Sequence, residues 1–164
     1  MLELTLVAAV VLILAAIAVP NFLSSKSAAN EAAAVSNIRI IHSVQVAYST
    51  QYPSMGFADA LSKLGPPLPG SYSSPIRADL LDSQLGCDAQ PCRKNGYDFQ
   101  IDQVEGRPVT TYRITAVPVG PGRTGEHGFC GSLVGLISID LNGGTNCTTT
   151  GSGGSASKKF KAAD

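Results

Sequence analysis

The chain has 164 residues, 44% of them hydrophobic and 15% charged, with twelve Lys and Arg set against twelve Asp and Glu. A chain of this size holds one modest domain, and a formal net charge of zero leaves no basic excess to neutralise phosphates. Electrostatic capture of nucleic acid or anionic lipid is thereby excluded as its main role, and with no Trp and only scattered Phe and Tyr no aromatic stack is legible.

The first twenty residues read MLELTLVAAVVLILAAIAVP, and from Leu4 to Val19 the only polar side chain is Thr5. A helix from Met1 to Val19 would measure roughly 30 Å, about the thickness of a bilayer's hydrocarbon core, so the stretch is expected to be able to span a membrane. Glu3 is the exception. A carboxylate at the bilayer centre costs at least ~2.5 kcal/mol, so an acid in such a segment marks a functional position whose partner must be sought. A cleavable signal peptide would need a basic start, which is absent, although Ala16 and Ala18 would suit its cleavage site. A plain single-span anchor fits the composition equally well.

Behind Pro20 the sequence runs from Asn21 to Tyr52 without Gly or Pro and is rich in Ala, which suits a helix throughout. Val35, Ile38, Ile41 or Ile40, Val44 and Tyr48 recur at three- and four-residue steps and form an apolar stripe. Lys26, Asn30, Glu31, Asn37 and Arg39 are assigned to other faces. The expectation is one helix of roughly fifty residues, apolar in its first half and amphipathic in its second, with Pro20 interrupting the ladder between them.

The string Leu14-Ala15-Ala16-Ile17-Ala18-Val19-Pro20-Asn21-Phe22-Leu23, with an acid seventeen positions before the proline, resembles the N-terminal segment of type IV pilins and of the related pseudopilins of type II secretion. The resemblance is sharpest over residues 3 to 23, continues loosely to Gly65 and is architectural beyond. It implies a structural subunit and not an enzyme, with no cofactor, whose partners are identical subunits in a helical homopolymer. It also implies an inner-membrane assembly machinery, a prepilin peptidase, and passage from the inner membrane as a precursor to an extracellular filament, the pilus. Glu3 maps onto the family's acid, which is thought to meet the free N-terminal amine of a neighbouring subunit, and Glu3, Pro20 and Phe22 become the assembly residues. A carboxylate buried among apolar helices is tolerable when a positive charge meets it, and removing one partner strands the other. Small residues Ala8, Ala9, Ala15, Ala16 and Ala18 allow close helix approach, and Pro20 is expected to let the helix straighten or melt on assembly. In the family a basic leader is cut before a residue, often N-methylated, that lies four positions ahead of the acid. Here Met1 and Leu2 alone precede Glu3; either the leader and two residues lie outside this sequence, or the chain begins differently.

The long helix should end near Tyr52-Pro53. Residues 53 to 96 read as a surface connection with a short helix from Phe57 to Leu64, closed by Gly65, and a second from Ser74-Pro75 towards Gly86. Between them, Pro66 to Ser74 is a loop by composition.

Three strands follow. Tyr97, Phe99 and Ile101 alternate with Asp98, Gln100 and Asp102; Glu105-Gly106-Arg107-Pro108 turns back; Tyr112, Ile114 and Ala116 share one face of a second strand. Pro118 to Gly128 reads as a longer turn, and Leu133 to Asp140 as a third strand. The fold class expected is α+β, the type IV pilin fold, with the long helix covering a three- or four-stranded antiparallel sheet. Its segments are 1–23 (membrane or filament core), 24–52 (amphipathic half of the helix), 53–96 (connection), 97–147 (sheet and distal loop) and 148–164 (a Ser, Thr and Gly tail ending in Lys158-Lys159-Phe160-Lys161).

The four cysteines, Cys87, Cys92, Cys130 and Cys147, are separated by four, thirty-seven and sixteen residues. Zinc would prefer paired knuckles, and an exported domain favours disulfides. Of three connectivities, Cys87 with Cys92 and Cys130 with Cys147 is the expectation, the second closing a loop for which chain entropy suggests ~3 kcal/mol.

Gly120-Pro121-Gly122-Arg123-Thr124-Gly125 matches the dinucleotide fingerprint by letter but precedes a strand, and Pro121 removes an amide the phosphates would use, so it reads as a turn. Asp140 and Asn142 begin like a calcium loop that lacks its later bidentate Glu. Neither His42 nor His127 is patterned with a nucleophile. Asn146-Cys147-Thr148 fits the glycosylation triplet, and Thr148, Thr149, Thr150 and Ser152 are further glycan candidates. The function expected is a filament-forming structural subunit. The alternatives are a type II secretion pseudopilin and a membrane-tethered periplasmic binding domain.

Overall fold

The structure is a computed structural model that describes the backbone of residues 2–147 and 149–151 and the side chains of residues 3, 7–13 and 22–147. Helix α1 (Leu2–Gln51) runs for 50 residues. It is continuous through position 20, so the interruption expected at Pro20 is corrected: proline withholds one N–H, and a ladder intact on both sides carries a single missing bond. A four-residue α2 (Leu61–Leu64) follows. Strands β1 (Cys92–Lys94), β2 (Tyr97–Glu105), β3 (Thr111–Pro118), β4 (Gly128–Ser132) and β5 (Ile137–Asp140) then pair antiparallel in chain order, and a short β6 (Thr149–Gly151) continues the sheet beside β5. The architecture is α+β, with five strands before the short sixth where three or four were expected.

Register places the core in rows. Phe99, Ala116, Phe129 and Ile139 are successive cross-strand partners, and Ile101, Ile114, Gly131 and Ile137 form the next row on the same face. Ala34, Ile38, Ile41 and Tyr48 of α1 are fully or almost fully buried over this face, at about 1.5–3 kcal/mol for each large side chain removed from water. The choice between Ile40 and Ile41 falls to Ile41, since Ile40 is exposed. A Cβ built on Gly131 would lie 2.5 Å from Cγ2 of Ile38. The helix therefore crosses the sheet where β4 has no side chain.

Gln45 lies in the same stripe and is wholly buried. Its Nε2 donates to the Ala58 carbonyl at 2.8 Å, and its Oε1 accepts from the Ala58 N–H at 2.7 Å, tying the connection to the helix. The Tyr48 hydroxyl donates to the Pro75 carbonyl at 2.6 Å.

Two expectations for residues 53–96 are corrected. The first short helix is reduced to Leu61–Leu64, and no helix forms over residues 75–85. There the amides of Ala78, Asp79, Leu80 and Leu81 donate to the carbonyls of Lys63, Gly65 and Leu64, so tertiary bonds take the donors a helix would need. The segment still closes as a hairpin at its end: Asn95 (φ 50°) and Gly96 (φ 75°) join β1 to β2 by a two-residue turn with both φ positive. The third strand expected over Leu133–Asp140 is corrected to β5, Ile137–Asp140, its first four residues forming the turn that follows β4, a strand the sequence did not show.

Gly131→Ala is expected to destabilise the fold by ~1–3 kcal/mol, since overpacking a filled core forces backbone or rotamer shifts. Thermal unfolding of the single variant and of its combination with Ile38→Leu, which removes the Cγ2 methyl, checks this: the second change should recover part of the loss if the Ile38 contact is its cause.

Candidate functional site

Helix α1 has two environments. From Ala34 onward its inner face is buried, whereas Val7, Val10, Val11, Leu12, Ile13, Phe22 and Leu23 are exposed, Leu12 at 71% and Phe22 at 68%. Four consecutive apolar residues, Val10–Ile13, turn through a full circle at 3.6 residues per turn. A helix apolar on every side is stable only when something surrounds it, and a groove contacting one face leaves the rest in water. Glu3 is exposed and has no ion-pair partner in the chain among the described residues. Ala8 and Ala9 are exposed, while Ala15, Ala16, Ala18 and the ring of Pro20 lie outside the described residues.

Among the described residues no helix is long and apolar enough to cross a membrane. The span expected over residues 1–23 falls largely on residues 4–6 and 14–21, whose side chains lie outside the described residues.

The helix meets the body of the protein through a polar junction that the sequence reading assigned to outer faces. The Nδ2 of Asn30 donates to the Thr124 carbonyl at 2.8 Å. The Glu31 carboxylate accepts from the backbone N–H of Glu126 at 2.7 Å and of His127 at 3.2 Å, and lies 3.1 Å from His127 Nδ1. Asn37, buried, donates to Oδ1 of Asn95 at 3.4 Å. Beneath this cluster the Tyr97 hydroxyl donates to the His127 carbonyl at 2.9 Å, and burial, with the Glu31 charge second, pushes its phenol well above the usual range. Asn30 and Asn37 share the three- and four-residue spacing of Ala34, Ile38, Ile41, Gln45 and Tyr48, which is the signal that could have placed them.

Residues 120–125 form a closed turn. The amide of Gly122 donates to the Gly125 carbonyl, and those of Arg123 and Thr124 donate to the Gly120 carbonyl. The fingerprint's amides point inward and its outer edge holds Asn30.

The cysteines pair as Cys87–Cys92 and Cys130–Cys147, with Cα–Cα separations of 5.6 Å and 6.0 Å. Asp140 is buried, and its oxygens accept from the amides of Asn142 at 2.9 Å and Asn146 at 2.8 Å, which makes it the clip of the loop leading to Cys147. No cluster of metal ligands occurs among the described residues. His42 and His127 lie apart, one against Tyr112 and one against Glu31. Asn146 is exposed, whereas Thr148, Ser152 and the side chains of Thr149 and Thr150 lie outside the described residues. Glu3 and Phe22 are exposed on the N-terminal half of α1, ahead of the junction at Asn30 and Glu31.

Comparison with protein-family models, with curated proteins and with solved structures gave no match.

Hydrogen bonds to a charged acceptor contribute ~1.5–3 kcal/mol each, so Glu31→Ala is expected to release the loop at Glu126 and His127 before the core. Native-state hydrogen exchange should show protection at those two amides falling by about 10- to 100-fold while Phe99 and Ile114 keep theirs.

Proposed function

We propose that the chain is a type IV pilin-like structural subunit that polymerises into an extracellular filament through the N-terminal half of α1. The observation that carries this reading is the exposed half-helix, apolar on every side over Val10–Ile13 and continuous with the helix that packs on the sheet. In a bundle of identical helices each such segment is enclosed by its neighbours, and the surface that faces lipid before assembly faces protein after it. Heterologous contacts of this kind do not close and so propagate a helical polymer.

Glu3 fits the foot of this rod. In the assembled bundle it sits among apolar helices and is met by the positive amine of the adjacent subunit, as the resemblance over residues 3 to 23 implies. Phe22 continues the apolar surface past Pro20. The disulfides Cys87–Cys92 and Cys130–Cys147 support an exported location. Each oxygen of Asp140 accepts one backbone amide, a loop-closing role that gives a calcium-carrying pseudopilin no added support.

Breaking a buried charge pair from one side costs ~3–5 kcal/mol, so Glu3→Gln should lower the yield of filaments sheared from producing cells by at least ~10-fold. Electron microscopy of the sheared fraction, with total subunit measured by immunoblot, checks this. Unchanged filament yield with Glu3→Gln would contradict the role given to the carboxylate, and a sheared fraction without filaments from unsubstituted cells would contradict the function.

A further inference from the structure

A cleft of 290 Å³ lies between α1 and the turn joining β4 to β5. Its helical wall carries Arg39, His42 and Ser43, which share one face by their three- and four-residue spacing. Ile38 and Ile137, nearly buried, form an apolar floor. No carboxylate lines it.

The polar groups are matched to one kind of guest. His42 Nδ1 lies 2.8 Å from the Tyr112 hydroxyl, and burial pushes that phenol up to about 12, so it stays protonated. The contact is assigned as the phenol donating to Nδ1, an assignment that places the neutral ring's proton on Nε2. Nε2 is on the side of Gly135, where a Cβ would sit 3.4 Å away, so the missing side chain leaves this N–H open to the cleft. Arg39, like Arg107 and Arg123, has no side-chain ion pair or hydrogen bond among the described residues, whereas Arg77, Arg93 and Arg113 each engage an aspartate. The Ser132 hydroxyl across the cleft is turned to the Leu136 carbonyl. The open groups can all donate, the Ser43 hydroxyl also being able to accept, and one is a permanent cation whose planar fork suits two oxygens of a single group. The volume is close to the lower end of small-molecule sites, ~300 Å³.

We propose that this cleft binds a small oxyanion, a carboxylate or phosphate group on a short apolar body, held by Arg39, His42 Nε2 and Ser43 above a floor of Ile38 and Ile137. The proposal does not rest on the function proposed above, since the cleft's residues lie on the docked half of α1 and on β4, β5 and the turn between them.

The test uses the full chain in nonionic detergent micelles, with ¹H–¹⁵N spectra of the histidine side chains recorded during separate titrations with inorganic phosphate, butyrate and, as a control, chloride at matched ionic strength. The expected result is a saturable shift of His42 Nε2, with His127 unmoved, and at least ~10-fold weaker binding in Arg39→Gln but not in Lys26→Gln. Saturation by phosphate alone supports a phosphate-bearing guest, and saturation by butyrate alone or more tightly supports a carboxylate on an apolar body. Chloride reproducing the shift, a shift that does not saturate, equal movement of His127, no shift with either probe, or undiminished binding in Arg39→Gln would overturn the proposal. The exposed position of Arg39 keeps that variant folded, which unchanged resonances of Phe99 and Ile114 would verify.

Discussion

The seat of Ile38 on Gly131 fixes the geometry on which the remaining structure depends. A helix laid on a twisted sheet needs a line of closest approach, and here β4 supplies it by having no Cβ in the middle of the row formed by Ile101, Ile114 and Ile137. With that point set, Ile41, Gln45 and Tyr48 fall over the sheet and the connection in turn. Gln45 then closes both polar groups of Ala58, and the Tyr48 hydroxyl reaches the Pro75 carbonyl. The same alignment sends the other end of the helix beyond the sheet. Asn30 and Glu31 bond to the loop at Thr124–His127, and before them the described apolar residues Val7, Val10–Ile13, Phe22 and Leu23 are exposed.

Where the sequence was readable, the reason was periodicity. Tyr97, Phe99 and Ile101 alternate with polar residues because β2 is covered on one face, and Tyr112, Ile114 and Ala116 do so in β3. Strand β4 was hidden because Gly128 and Gly131 replace the side chains that would have shown alternation, their function being to let other chain segments approach. Strand β1 has three residues, too few for a period, although the Asn95-Gly96 pair was a legible hairpin signal. The second short helix was expected from a sound cap at Ser74-Pro75, and local preference lost to tertiary bonds with residues 63–65. Pro20 was weighted as a break, yet one absent donor does not end a helix of this length.

The site was legible in part for the same reasons. The apolar run and Glu3 are visible in any reading of residues 1–23, because they form one unbroken local pattern. The polar junction was missed since Asn30, Glu31 and Asn37 are residues that usually face water; Asn30 and Glu31 meet backbone groups of a loop 94 and 95 residues away in sequence, and Asn37 meets the Asn95 side chain 58 residues on. Backbone carbonyls and amides carry no sequence signature. The contact of His42 with Tyr112 is hidden likewise, since nothing local joins a helix turn to a strand 70 residues on.

The account therefore assigns the two halves of one helix opposite tasks: the second holds a domain together, and the first is completed only by other copies. Helical reconstruction of the filament by cryo-electron microscopy tests this most directly. The account predicts Val7 and Val10–Ile13 enclosed by the same segments of neighbouring subunits, with each Glu3 opposite a positive charge. Filaments joined solely through their globular bodies, with that half-helix facing solvent or folded back on its own sheet, would contradict it.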